Sequence, residues 1–459
     1  MKHRILAAAI AVTVVAGSAA CSSNSSDSGA GGSSVPDASA LKNAKGVTEI
    51  TVWHGLGAAN GVAFDKLISE FNAANKGKIH VNATFQGVYA DLLAKYTAGL
   101  RDNSTPTVMV AGDIATGFMT AVKKSIPATD MAKANPSDLK ISDLSAAGRN
   151  YYTVNGKLQA VPMNMSTPML WVNRDLLAKA GIPKSTDLST LDAVIAAAKT
   201  VKEKTGQKGF TMPDDDWYIE QLTATAGQDF CTPDNGRKGS AASGITINTG
   251  AAKTAITKVA DLYRSGVAVD GAPDGSAALS GFQAGKVAFL LNSSGALGAL
   301  KTGTKFDYAA LPFPTSGPKT SSGPVIGGSA LWLSSTATDA QKAAGWKLET
   351  FLASAAAQEE FSHATGYLPV NTKTDASSTQ QAFLKANPNY QTMVAQLKNV
   401  PIVSAPAGCV TGAMTAIRTG NINQIQAAFA GQKTIGAALD QAVTDAKSSI
   451  KKYQDQLGR

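Results

Sequence analysis

Three features of this sequence predict an α/β fold built as two lobes. From Thr48 to Lys124, strand-like and helix-like apolar patterns alternate, and a second such alternation starts near Met169. Roughly 410 residues follow a low-complexity start, more than one hydrophobic core usually serves. The composition is 44% apolar and 6% aromatic, which is globular rather than disordered.

The elements follow in order. "EITVWHG" reads as a short buried strand. Phe64, Leu67, Ile68 and Phe71 then fall at i, i+3, i+4 and i+7, one face of a helix. Gly77 is placed to close that helix. Ile79, Val81, Ala83 and Phe85 alternate with polar residues, the period of a half-buried strand. "DLLAKYTAGL" reads as helix, "TVMVAGD" as strand and "TGFMTAVKK" as helix. Such an order implies a parallel sheet covered on both faces. In the second half, "PMLWVNRDLL" is strand into helix, and Leu191, Val194, Ile195 and Ala198 mark another amphipathic helix. "GKVAFLLNSS", "FDYAALPFP" and "SALWLSS" read as strands, one long helix is expected from Ala340 to Ser362, and the chain is expected to be helical from Gln424. No fixed-period repeat is present, so a solenoid is excluded.

The start of the chain predicts export. Lys2, His3 and Arg4 precede an apolar run from Ile5 to Val15, then small residues and Cys21. This is the layout of a secretory signal over residues 1–20. Cys21 stands where a bacterial lipoprotein signal carries its lipid acceptor, although Ser18 occupies a position that is usually Leu. Residues 21–46, mostly Ser, Gly, Asn, Asp and Ala at first, read as a flexible tether to a lipid anchor at the cell membrane. Ordinary secretion with a disordered start is the plainer reading.

The net charge of +9 is dispersed, without a long basic run, so a nucleic-acid partner is not expected. Four scattered histidines form no ligand pair, so neither a metal nor another cofactor is expected. Cys231 and Cys409 are the cysteines besides Cys21, and outside the cytoplasm such a pair is expected to form a disulfide.

Several segments together carry a family resemblance: "ITVWHG", "FNAAN", "GVYADLLAKY", "STPMLWVNRDLLAKAGI", "GKVAFLLNSSGAL", "IGGSALWL" and "TGYLPV". In order and spacing the chain resembles the solute-binding proteins of ABC importers that take up carbohydrates. Within them it is most similar to the binders of glycerol 3-phosphate and glycerophosphodiesters. The resemblance implies a two-lobed periplasmic-binding-protein fold with the ligand in the cleft. Lobe 1 would comprise residues 47–164 with 312–368, and lobe 2 residues 165–311 with 369–459. The chain would cross between them near Asn164, Leu311 and Leu368. It further implies a monomer that delivers its small-molecule ligand to a membrane permease and is not an enzyme.

Carried over by position, the implied pocket comprises Tyr89, Asp113, Ser166, Ser293, Ser294, Gly328, Tyr367 and Arg418. Those types suit a phosphate ester: a guanidinium, hydroxyls and backbone N–H groups for the phosphate, and a carboxylate for glycerol hydroxyls. On this reading, removing Arg418 costs binding but leaves the melting temperature of the empty protein nearly unchanged. Each residue has a plainer role open to it. Asp113 serves as a helix cap, Tyr89 as helix packing, Gly327 and Gly328 as a turn, and Arg418 as a surface charge. Asp214, Asp215, Asp216, Trp217 and Tyr218 depart from the family's two tryptophans separated by two residues. Aromatic faces beside carboxylates hold quaternary ammonium groups, so a choline head would suit Trp217 and Tyr218. The same segment also reads as a solvated acidic turn beside one core aromatic. A glycerophosphodiester such as glycerophosphocholine is the expected ligand, with an oligosaccharide the alternative. A surface glycoside or phosphodiester hydrolase is the reading from another class, disfavoured because no nucleophile-elbow Gly-x-Ser-x-Gly is present.

Overall fold

A computed structural model describes residues 35–272, 275–318 and 322–456. The expected leader and Cys21 lie outside the described residues. The first sheet contains β1 (Thr48–His54), β2 (Ile79–Phe85), β3 (Val108–Gly112) and β4 (Val161–Ser166). The second contains β5 (Pro168–Asn173), β6 (Lys208–Thr211), β7 (Val287–Ser293) and β8 (Tyr308–Pro312). The chain then returns to the first sheet as β9 (Gly327–Leu333). The strand orders are β2-β1-β3-β9-β4 and β8-β5-β7-β6.

Both sheets are mixed, which corrects the expectation of a parallel sheet. β1 runs parallel to β2 and β3, as the alternating order requires. β9 runs antiparallel to both β3 and β4. β5 is antiparallel to β7 and β8, whereas β6 is parallel to β7. Strands returning from the other sheet need no local crossover, so nothing forces them parallel.

The helices form where the apolar period predicts. On α1 (Ala58–Ala74), Phe64, Leu67, Ile68 and Phe71 are all buried against the first sheet's core. Asn75 caps its C-terminus, and Gly77, with φ +78°, takes the tight turn two residues later. α2 spans Tyr89–Asp102, α3 Leu191–Thr205 and α4 Asp216–Thr225. The expected single helix from Ala340 to Ser362 is instead two, α5 (Asp339–Leu352) and α6 (Ala355–Thr365). Ser354 separates them, because its side chain accepts from Ala357 N and so starts a new helix. The C-terminal helical region begins earlier than expected, with α7 (Met414–Phe429), and α8 (Ile435–Gln456) follows a turn at Gly431. The end of the expected tether also has structure. Ser39–Lys42 is one helical turn, Leu41 packs on the core, and Pro36 O accepts from Asn135 Nδ2.

The passages between the sheets are cross-braced, and the first of them is short. Thr167 alone separates β4 from β5. Its N–H donates to Ser294 Oγ at 3.1 Å, and its carbonyl accepts from Ser294 N at 2.8 Å. Gln396 ties that passage to the one after β8. Its Nε2 donates to Thr167 Oγ1 and Pro168 O, and its Oε1 accepts from Phe313 N. Met165 and Leu368 exchange backbone hydrogen bonds beside them. Cys231 and Cys409 are bonded, with Cα atoms 5.4 Å apart across 178 residues of sequence.

Two stability tests follow. Replacing both Cys231 and Cys409 by Ser should lower unfolding free energy by about 2–4 kcal/mol, measured by denaturant melts. Glu349 on α5 is buried, and its Oε1 has no partner among the described residues. Burial holds its carboxyl well above the usual range. Its neutral form is therefore favoured in the fold, and stability is lost as pH rises through the folded value. Glu349→Met should raise stability at pH 7 by about 1–3 kcal/mol, and the gain should shrink as pH falls toward 4.

Candidate functional site: a cleft at the ends of the strands

Strand ends and helix starts from both sheets converge on one cleft of about 440 Å³. Such a volume suits a small organic ligand. From the first sheet's side come Tyr89 at the start of α2, Asp113 after β3, Ser166 at the end of β4, and Gly327 and Gly328 at the start of β9. From the second come Ser293 at the end of β7, Asp215, Trp217 and Tyr218 around the start of α4, and Thr415, Arg418 and Thr419 on α7.

Glycines shape the first wall. A Cβ on Gly55 or on Gly112 would lie 2.6 Å from the Tyr89 ring, so the ring occupies a slot between two bare backbones. Gly328 has φ +124°, and a Cβ there would meet Asn164 O at 2.2 Å. Gly327 and Gly328 are thus part of a strand, not a turn. Asn164, fully buried between strands, accepts from Ser329 N and Ser329 Oγ through Oδ1.

The acidic segment is not a solvated turn. Asp214 and Asp216 are buried, and Asp215 alone is exposed. Asp215 caps α4, its Oδ1 accepting from Trp217 N at 2.9 Å. Asp216 Oδ2 accepts from Asn421 Nδ2 at 3.0 Å. Burial pushes the Asp216 carboxyl well above its ordinary range, against the pull of Arg418 and Asn421. The two rings divide the work. Trp217 lines the cleft and meets Tyr218 edge to face, with centroids 5.3 Å apart. The Tyr218 hydroxyl accepts from Ser293 N at 3.1 Å and lies 3.2 Å from Asn292 Oδ1, so it braces the end of β7.

Arg418 is not a surface charge, and it is not free. Its side chain is 13% exposed, and Nη2 donates to Glu220 Oε2 at 2.9 Å and to Asp113 Oδ2 at 3.5 Å. The Glu220 side chain is 1% exposed, and its other oxygen accepts from Cys409 N at 3.0 Å. Burial opposes the charge on Arg418, but Asp113, Glu220 and Asp215 outweigh it and hold the guanidinium above its ordinary value. Burial pushes Asp113 up to about 6, with Arg418 opposing and Glu220 and Asp215 adding to the rise. Arg418 is the sole cation among the described residues lining the cleft.

Two expected site residues stand back from the cleft wall. Ser294 is buried against Thr167, with both its backbone N–H and its Oγ used there. Its register one residue past Ser293 turns it away from the cleft. Tyr367 is half-buried and does not line the cleft, although it stands near enough to Tyr89 and Asp113 to act on them electrostatically. Its ring neighbours Gly295 and its carbonyl accepts from the Tyr390 hydroxyl. Burial, then Asp113, raises its phenol. Glu220, Thr415 and Thr419 were not anticipated, while Asp215 and Gly327 were noted in the sequence without being assigned to the site.

Residues 66–392 match the family described as bacterial extracellular solute-binding protein. The chain is 27% identical over 415 residues to the sn-glycerol-3-phosphate-binding periplasmic protein UgpB of Agrobacterium fabrum, covering 89% of this chain and 94% of that protein. Its fold resembles UgpB from Mycobacterium tuberculosis, solved in complex with glycerophosphocholine, with TM-score 0.69 at 20% identity, covering 90% and 98% of the two chains. It also resembles the cyclic alpha-maltosyl-1,6-maltose binding protein from Arthrobacter globiformis, with TM-score 0.71 at 22% identity, covering 88% and 99%.

The geometry reverses one expectation about Arg418. Its removal leaves the buried Glu220 carboxylate without its ion-pair partner, and breaking a buried pair is strongly destabilising. Arg418→Ala should therefore lower the stability of the empty protein by about 3–5 kcal/mol, seen as a fall in melting temperature.

Proposed function

The chain belongs to the bacterial extracellular solute-binding proteins, and we propose that it serves an ABC importer by capturing a glycerophosphodiester, glycerophosphocholine foremost. One observation carries the reading. A single guanidinium, Arg418, shares the cleft with the carboxylates of Asp113 and Asp215 and the face of Trp217. Such a site suits a ligand that carries both signs of charge. The phosphate would meet Arg418, the Ser166 and Ser293 hydroxyls and the backbone at Gly328. The glycerol hydroxyls would meet Asp113. The quaternary ammonium would lie against Trp217 with Asp215 beside it. The names of the Agrobacterium and Mycobacterium proteins support a glycerophosphate-type ligand.

A second reading is favoured by the same guanidinium. Arg418 already has carboxylate partners, and hydroxyls, carboxylates and an indole face also suit a neutral oligosaccharide. The Arthrobacter protein is named for binding such a sugar.

The lobes would be residues 47–164 with 312–368 and residues 165–311 with 369–459. Closure would bend the passages near Asn164, Leu311 and Leu368, where Thr167, Phe313 and Gln396 are bonded together. The closed form would present a composite surface to a membrane permease and hand over its ligand unchanged. Export, and anchoring to the membrane by a lipid on Cys21, belong to the same proposal. The working unit would be a monomer without a cofactor.

Calorimetry with glycerophosphocholine should give one-to-one binding, and small-angle scattering should show a smaller radius of gyration at saturation. No heat with any glycerophosphodiester, together with tight binding of a maltose-type sugar, would replace this reading with the second. Binding without a change in radius would reject closure.

A further inference from the structure

We propose that Glu220 sets the ligand specificity of the cleft by holding the charge of Arg418, so that a phosphate is accepted only when the same molecule carries a compensating cation. The proposal rests on the reading of the cleft as a phosphodiester site.

Three carboxylates act on the one guanidinium. Asp113 and Asp215 line the cleft, and Glu220 lies behind Arg418 at 2.9 Å. With the carboxylates ionised, the neighbourhood carries no net positive charge. An incoming anion would gain the donors of Arg418 but would also sit close to like charges in a poorly solvated place, where repulsion is strong. Both carboxylate bonds of Arg418 run through Nη2 and Nε is buried, so Nη1 is the terminal nitrogen left to donate to a phosphate. The pairing therefore removes the attraction for net negative charge and leaves the hydrogen-bonding geometry.

Glu220 differs from the other two acids in being fixed. Its carboxylate is buried and spans two partners, Cys409 N at 3.0 Å and Arg418 Nη2 at 2.9 Å. Cys409 is itself held by its bond to Cys231. Glu220 cannot swing aside when a ligand enters, whereas Asp215 reaches solvent and can meet a cation on the ligand. Discrimination built on a fixed like charge acts against the wrong ligand rather than for the right one.

Three ligands separate the terms in calorimetry. Glycerophosphocholine is zwitterionic. Glycerophosphoglycerol keeps the diester but replaces the cation with a neutral polyol. Glycerol 3-phosphate is a monoester with more negative charge. Wild type should prefer the choline diester over the glycerol diester by about tenfold or more. Glu220→Gln keeps an oxygen for Cys409 N and removes the charge. It should reduce that preference to about threefold or less and strengthen glycerol 3-phosphate about tenfold. Glu220→Asp, which restores the charge, should restore the preference. An unchanged preference in Glu220→Gln, or an equal loss for all three ligands, would overturn the proposal and leave Glu220 a structural brace. If Glu220→Gln does not fold, equal binding of the two diesters by wild type overturns the proposal and a clear preference supports it. If wild type binds no diester, the phosphodiester reading fails by itself. A gain of glycerol 3-phosphate binding in Glu220→Gln would still support the charge filter, and its absence would reject it.

Discussion

The ion cluster of Arg418, Glu220 and Asp113 is the constraint around which the cleft is arranged. Its members come from α7, α4 and the segment after β3, so one guanidinium joins the end of a first-sheet strand to two helices packed in the second core. A buried charge of either sign is costly unless paired. The two acids repel each other and are held together by the guanidinium, so displacing Arg418 strands the charge of Glu220 away from water. The cluster places Asp113 at the mouth of β3 and leaves Glu220 outside the cleft lining, behind the arginine. It also accounts for the mixed tuning of the acids, with Asp113 raised by burial yet pulled back by Arg418.

Around this cluster the backbone does much of the shaping. Gly55 and Gly112 let the Tyr89 ring lie between two strand ends, and Gly328 lets β9 pass over the Asn164 carbonyl. A side chain at any of these positions would displace the Tyr89 ring or the Asn164 backbone and deform the first wall of the cleft. Substitution of Gly112 would displace Tyr89 before it touched any ligand.

Much of the fold was legible because burial leaves a period. Phe64, Leu67, Ile68 and Phe71 announce a helix, and the strand runs "TVMVAG" and "VAFLLNS" announce buried strands. The pairing of β9 between β3 and β4 was not legible, because it joins residues far apart in sequence and leaves no local trace. The break between α5 and α6 was missed because "ASAAAQ" is a good helical sequence, and only the Ser354 side chain ends one helix and starts the next. Most cleft residues were found through resemblance, since Tyr89 opens a helix and Asp113 follows a strand end, where periodicity says little. Glu220 escaped for the opposite reason. α4 is buried along its whole length, so no polar face sets its carboxylate apart.

The bond between Cys231 and Cys409 reaches further than its place in the second half of the chain suggests. Cys409 N holds Glu220, and Glu220 holds Arg418. Neither of the two large sheets contains a cysteine, so the bond bears on the charge cluster through the loop that carries the Cys409 N–H rather than through the sheets. Secondary structure alone would therefore say little about whether that bond is formed. The oxidation state of a sample is thus a variable to fix whenever the Glu220–Arg418 pair is studied.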